Sequence, residues 1–154
     1  MTSLLDPLAS YNFFVEIQGV TVAQFKEVSG IGISIGVVEN RSNLAKGQPV
    51  IQKMPGSVKY DDLRLSRGKI FDPAFWTWMQ DAQKGHIAAA RKDGSVNLYN
   101  YSQGLVATFN FYQAWPIRVE LGKLTAGADT VLLETLVLAV QRLEMGPTPN
   151  ESQS

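Results

Sequence analysis

The sequence predicts a mainly β domain, an antiparallel β-barrel or sandwich with one flanking α-helix. Three observations carry that prediction. Apolar residues recur with period two, as at Tyr11, Phe13, Val15 and Ile17. Convincing helical spacing occurs in one stretch, around Phe75. The third is the final apolar segment, residues 130–143, broken by the acid Glu134. It is too short and too polar to cross a bilayer as a helix, yet long for a strand. Both of its alternating faces are largely apolar, so as a strand it needs cover on both faces. In a chain of 154 residues, part of that cover is expected from another subunit.

The elements follow in order. Residues 11–17 form a strand that ends in a turn at Gly19, and residues 22–28 form a second. Gly30, Gly32 and Gly36 then interleave with Ile31, Ile33, Ile35 and Val37, which reads as a strand with bulges or close backbone approaches. From 40 to 56 the periodicity stops. That segment is expected to be a long loop, and loops of this length are usually functional. Residues 58–67 resume a strand whose apolar parity changes near Asp61-Asp62, predicting a bulge. Asp72 can cap the helix and Pro73 suits its first turn. Phe75, Trp76, Met79 and Ala82 form its core face, Trp78 is offset from that face, and Gly85 ends it. Residues 92–95 read as a turn. Residues 96–101 and 105–112 form a hairpin, with Leu105, Ala107, Phe109 and Phe111 on one face, and Trp115-Pro116 end its second strand. Residues 122–129 are a second loop. Residues 1–145 make one domain, and 146–154, polar with two prolines, a loose tail.

Composition narrows function. Fourteen basic against fourteen acidic side chains give a formal charge of zero, so no whole-chain footprint for nucleic acid or anionic membrane exists. Zero net charge does little to oppose self-association. There is no cysteine, hence no disulfide framework or thiolate metal site. The first residues lack the basic and apolar regions of a signal peptide, so synthesis and folding in a cytoplasm are expected.

Catalytic motifs fail on inspection. Gly32-Ile33-Ser34-Ile35-Gly36 matches a nucleophile elbow, but that motif needs a following helix. Here β-branched residues flank Ser34 on both sides. His86, the lone histidine, falls just past the helix, where it can face the last carbonyls. Asp61 and Asp62 are adjacent and point to opposite strand faces, so they cannot share a cation. The glycines of 30–36 do not fit a dinucleotide fingerprint. No catalytic residue, cofactor site or metal site is expected.

Several segments, taken together, resemble the tail-tube protein family of contractile phage tails and contractile injection systems. They are residues 6–17, 25–30 and 59–68, the helix with Phe75-Trp76-Thr77-Trp78, residues 109–116 with Trp115-Pro116, and 134–139. The resemblance spans most of the chain to about residue 144 and extends to the type VI secretion tube protein. It implies hexameric rings stacked into a hollow inner tube, driven by a contracting sheath. Strands of adjacent subunits would join into one barrel around the lumen, and the segment 40–56 would reach a neighbouring ring. On this reading Arg41, Asn43, Leu44, Lys46, Gln48 and Lys53 form the inter-ring loop. Leu132, Glu134, Leu136, Leu138 and Val140 form the inter-subunit strand. The expected partners are the chain itself, a sheath, baseplate, hub and tube-terminating proteins, and cargo in the lumen. Neither specific nucleic-acid binding nor membrane insertion by the monomer is expected. The favoured particle is an injection system. A phage tail tube conducting DNA and a small β-rich ligand-binding module are the alternatives, and a hydrolase built on Ser34 and His86 is a remote third.

Overall fold

The computed structural model describes residues 11–18, 21–43, 47–68, 73–100, 104–122, 126–127 and 132–146. In chain order the elements are β1 (Tyr11–Ile17), β2 (Thr21–Phe25), β3 (Glu27–Ser29), β4 (Ile33–Asn43), β5 (Pro49–Tyr60), β6 (Leu63–Gly68), α1 (Ala74–Gln83), α2 (Ile87–Ala90), β7 (Lys92–Asn100), β8 (Gly104–Leu121), β9 (Leu133–Ala139) and β10 (Arg142–Met145). The main sheet is antiparallel, in the order β2-β1-β7-β8-β9-β6-β3, with β10 also paired to β8. β4 and β5 form a separate two-stranded hairpin.

The 18-residue strand β8 organises the sheet. Its first part pairs with β7 and β10, and its second part with β9. Between them Gln113 has φ 53° and donates its N–H to Asp93 Oδ1 at 2.9 Å, and the register shifts between Pro116 and Arg118. The strand thus bends from a front layer (β2, β1, β7, β8, β10) into a back layer (β8, β9, β6, β3). Proline is tolerated at such an irregularity, where a missing N–H breaks no regular ladder. The expected stop at Trp115-Pro116 is therefore a bend inside one strand.

A single chain segment serves both ends of the sheet. β2 and β3 are separated only by Lys26, whose N–H donates to Ser66 O at 2.9 Å. The sheet curls until its first and last strands meet at this corner. Among the described residues no ladder joins β2 to β3 or β6, so the curl is barrel-like but not closed by hydrogen bonds. Between the layers lies one core, with Val15, Ile17, Val96 and Phe111 from the front and Leu63, Leu65, Leu136 and Leu138 from the back.

Helix α1 joins that core through Phe75 and Trp78, which are 0% and 2% exposed. The Trp78 indole N–H donates to Ala90 O at 2.6 Å, holding α2 against α1. Trp76, expected in the core, is 37% exposed, and Met79 is only half-buried. The buried stripe runs through positions 75, 78 and 82. A stripe through 75, 79 and 82 fits helical spacing equally well, and the Ala90 acceptor decides between them. Asp72, the expected cap, lies outside the described residues. Pro73 O accepts the N–H of Thr77 at 2.9 Å as the helix begins. The helix ends in a Schellman motif: Gly85 N–H bonds Ala82 O and His86 N–H bonds Asp81 O.

Two further expectations change. The final segment is two strands, β9 and β10, interrupted at Val140-Gln141. Each pairs with a different stretch of β8, so the cover expected from a neighbour is supplied within the subunit. Residues 92–95 are not a turn but the start of β7. Gly94 is there because a Cβ would overlap Glu16 O and the Phe111 ring. The parity change at Asp61-Asp62 proves to be a full break between β5 and β6.

Candidate functional site

Residues 40–56 are a correction to the expected loop. They form the outer part of the β4–β5 hairpin, paired from Ile33–Tyr60 to Asn43–Pro49 with one bulge beside Gly36. Periodicity fails there because both faces of the arm are open in the single subunit, so neither needs an apolar stripe. Arg41, Asn43, Gln48 and Lys53 are all exposed, with Asn43 opposite Pro49 at the outer end. Leu44 and Lys46 lie outside the described residues.

The inner part of the arm is apolar and exposed. Ile33, Ile35 and Val37 alternate along one face of β4, and Val58 sits opposite Ile35. Val37 is 65% exposed and the other three are all more than half exposed. Burying an aliphatic side chain of this size is worth roughly 1.5–3 kcal/mol. A contiguous row of them on a long projecting ribbon marks a contact surface. The arm is fixed to the body where it leaves: Gly30 has φ 81°, a Cβ on it would overlap Asp62 O, and Asp61 N–H bonds Gly32 O at 3.1 Å. The two strands of the arm therefore run in near contact where they meet β3 and β6.

The strand expected at the subunit interface, β9, is covered within its own subunit. Glu134, Leu136 and Leu138 are fully buried in the subunit's own core, and β9 is hydrogen-bonded on both edges, to β8 and β6. A strand with both edges paired cannot accept a further strand. Leu132 and Val140, at its two ends, are only half-buried.

Glu134 instead opposes Arg67 directly in the β6–β9 register, with Arg67 Nη2 donating to its Oε1 at 3.1 Å. The guanidinium stacks on the Phe75 ring at 3.8 Å, and Phe75 stacks on Phe25. This buried pair went unrecognised in the sequence. Its signal was there: Arg67 is in phase with Leu63 and Leu65, and Glu134 with Leu136 and Leu138. Two opposite charges on core-facing positions of different strands belong together.

Ser34 is exposed in β4 opposite Lys59, and His86 is exposed between α1 and α2. Among the described residues no group of acidic or histidine side chains is placed to hold a metal, and no helix is long and apolar enough to cross a membrane.

The candidate site is thus an exposed apolar arm that projects from a curled sheet. Comparison with known proteins identifies the family. The family model of the T4-like virus tail tube protein gp19 matches residues 9–144. The chain belongs to that family. This tail tube protein is a structural subunit of contractile tail-like particles, not an enzyme. No individual curated protein matches it. Among solved structures it resembles the extracellular contractile injection system PVC sheath-tube complex in its extended state. That match has a TM-score of 0.75 and 24% identity, covering 94% of this chain and 95% of the other. The cap that terminates the tube of the anti-feeding prophage matches with a TM-score of 0.72 and 20% identity, over 96% of each chain. Hcp1 from Flavobacterium johnsoniae matches with a TM-score of 0.54 and 16% identity, over 88% of this tail tube protein and 94% of that chain. At these identities the likeness is one of fold.

Proposed function

We propose that this tail tube protein forms hexameric rings that stack into the inner tube of a contractile injection system, surrounded by a sheath and ended by baseplate and terminator proteins. The observation that carries the reading is the β4–β5 arm, a long ribbon with an exposed apolar face in a family of tube subunits. Its inner part, Ile33, Ile35, Val37 and Val58, packs on an adjacent subunit. Its outer part, with Arg41, Asn43, Gln48 and Lys53, reaches the next ring. The lateral seam uses the free edges of the front layer, β2 and β10, in place of β9. Head-to-tail pairing of such edges closes into a ring when the rotation permits and leaves no strand exposed. Fold likeness to the PVC extracellular contractile injection system supports an injection system over a phage tail.

Negative-stain microscopy of the purified, concentrated protein, with and without its baseplate, tests this. Rings and stacked tubes are the expected result. A protein that stays monomeric under both conditions overturns the assembly reading. Encoding beside capsid and terminase genes would favour the phage alternative.

A further inference from the structure

We infer that Asp93 sets the angle between the front and back layers, and that through this angle it determines whether subunits close into a ring. The inference rests on the tube reading above and adds the positioning residue on which closure depends.

A line of interruptions crosses the sheet where the two layers meet. β1 ends at Ile17, and the next N–H, that of Gln18, donates to Asp93 O at 3.0 Å. In the neighbouring ladder Lys92 opposes Ala114 and Gly94 opposes Phe111, so Asp93 alone faces both Tyr112 and Gln113. On the other edge of β8, β9 stops at Ala139 and β10 starts at Arg142. The Gln141 N–H between them donates to Tyr112 O at 3.0 Å. Breaks that fall at one level in adjacent strands crease a sheet, where an isolated bulge would only add twist.

Gln113 sits at the centre of the crease. Among the described residues it is the one non-glycine with positive φ, 53°. L side chains enter that region at a cost, and Gln113 is exposed, so packing of its side chain does not offset it. Asp93 holds the conformation instead, its Oδ1 accepting the Gln113 N–H at 2.9 Å. Two residues against one leave an amide outside the ladder, and the carboxylate stands in for the missing carbonyl. A bend tied by one side chain is released by one substitution. The front layer carries the outer edges of β2 and β10, and the back layer leads through β3 and β6 into the arm. The bend therefore fixes the direction of the lateral seam relative to the arm. Head-to-tail contacts close only when the rotation from one subunit to the next permits. A spread of bend angles is a spread of rotations.

The chain has no cysteine, so Arg64→Cys on the back layer and Glu144→Cys on the front layer, both exposed, each take one spin label. Pulsed electron spin resonance on the dilute subunit should give one narrow distance with Asp93, and again with Asp93→Asn, which keeps the acceptor oxygen. Asp93→Ala should broaden it. Thr108→Ala removes a hydrogen bond of similar length inside the front layer, 3.0 Å to Asn97, and should leave the distance narrow. In negative-stain class averages Asp93→Ala should give rings of mixed symmetry and open arcs, where the wild type and Asp93→Asn give one symmetry. An unchanged distance in Asp93→Ala, or equal broadening in Thr108→Ala, overturns the assignment of the angle to Asp93. If Asp93→Ala does not fold, Asp93→Glu, whose longer side chain displaces the acceptor, replaces it, and an unshifted distance there overturns the assignment. A broadened distance with uniformly closed rings overturns the role in closure. Wild-type protein that forms no rings strikes the assembly reading, while the distances in the dilute subunit still decide what sets the angle.

Discussion

Trp76 and Trp78 lie two residues apart on one helix and meet opposite fates. Trp78 fills the core and donates to Ala90, whereas Trp76 lies at the surface. Trp78→Ala should cost ~3–5 kcal/mol, the usual range for a large buried side chain, and Trp76→Ala about 0.5 kcal/mol or less in the isolated subunit. Urea unfolding of both variants measures the difference. Arg67 and Glu134 pose a second residue-scale test. Glu134→Ala leaves a buried guanidinium without its carboxylate and should cost ~3–5 kcal/mol, whereas replacing both partners with apolar residues of similar volume should recover most of that. The pair also fixes register, because a one-residue slip of β9 would turn Glu134 out and strand Arg67. None of this could be settled from spacing alone. A helix of three turns offers two equally good apolar stripes, and the choice rests on an acceptor twelve residues away.

At the scale of elements, β1 was legible to the residue because one of its faces is buried and the other wet. The outer part of the β4–β5 hairpin, residues 40–56, was not, because a ribbon solvated on both sides there carries no period-two signal to read. The break at Val140-Gln141 was hidden for another reason: the apolar run of β9 continues through Val140, and no Gly or Pro marks a stop before Leu143. Pro116 and the 92–95 segment misled because local turn chemistry was overridden by tertiary demand: a strand bend in one case, close approach of Phe111 and Glu16 in the other. The arm makes few contacts with the body beyond the close approach of Gly30 and Asp62. Trimming residues 39–53 to a tight turn should therefore leave the melting temperature within a few degrees, since ribbon length contributes little to core stability, while abolishing long tubes. Circular dichroism and negative-stain images of the same preparation check both halves.

For the whole molecule, β8 ties the layers together, since no boundary can be drawn through the sheet without cutting it. The front and back layers should unfold in one transition. Far-ultraviolet circular dichroism and tryptophan fluorescence should give coincident urea curves, as two-state behaviour requires. Hydrogen exchange should separate the arm from this unit, with the amides of β4 and β5 exchanging well before those of β7, β8 and β9.

The same arm determines when the subunit is at risk. Before it joins a tube, each free copy carries a sticky, solvated ribbon with two unpaired edges, the form of surface most prone to random association. Free subunits are safe only while dilute, and their hazard rises with every copy made ahead of demand. A particle that adds subunits to a ready end keeps that pool small. Growth from a seed is thus a matter of protein solubility as much as of tube length, and production outpacing the seeds should yield aggregate before it yields extra tubes.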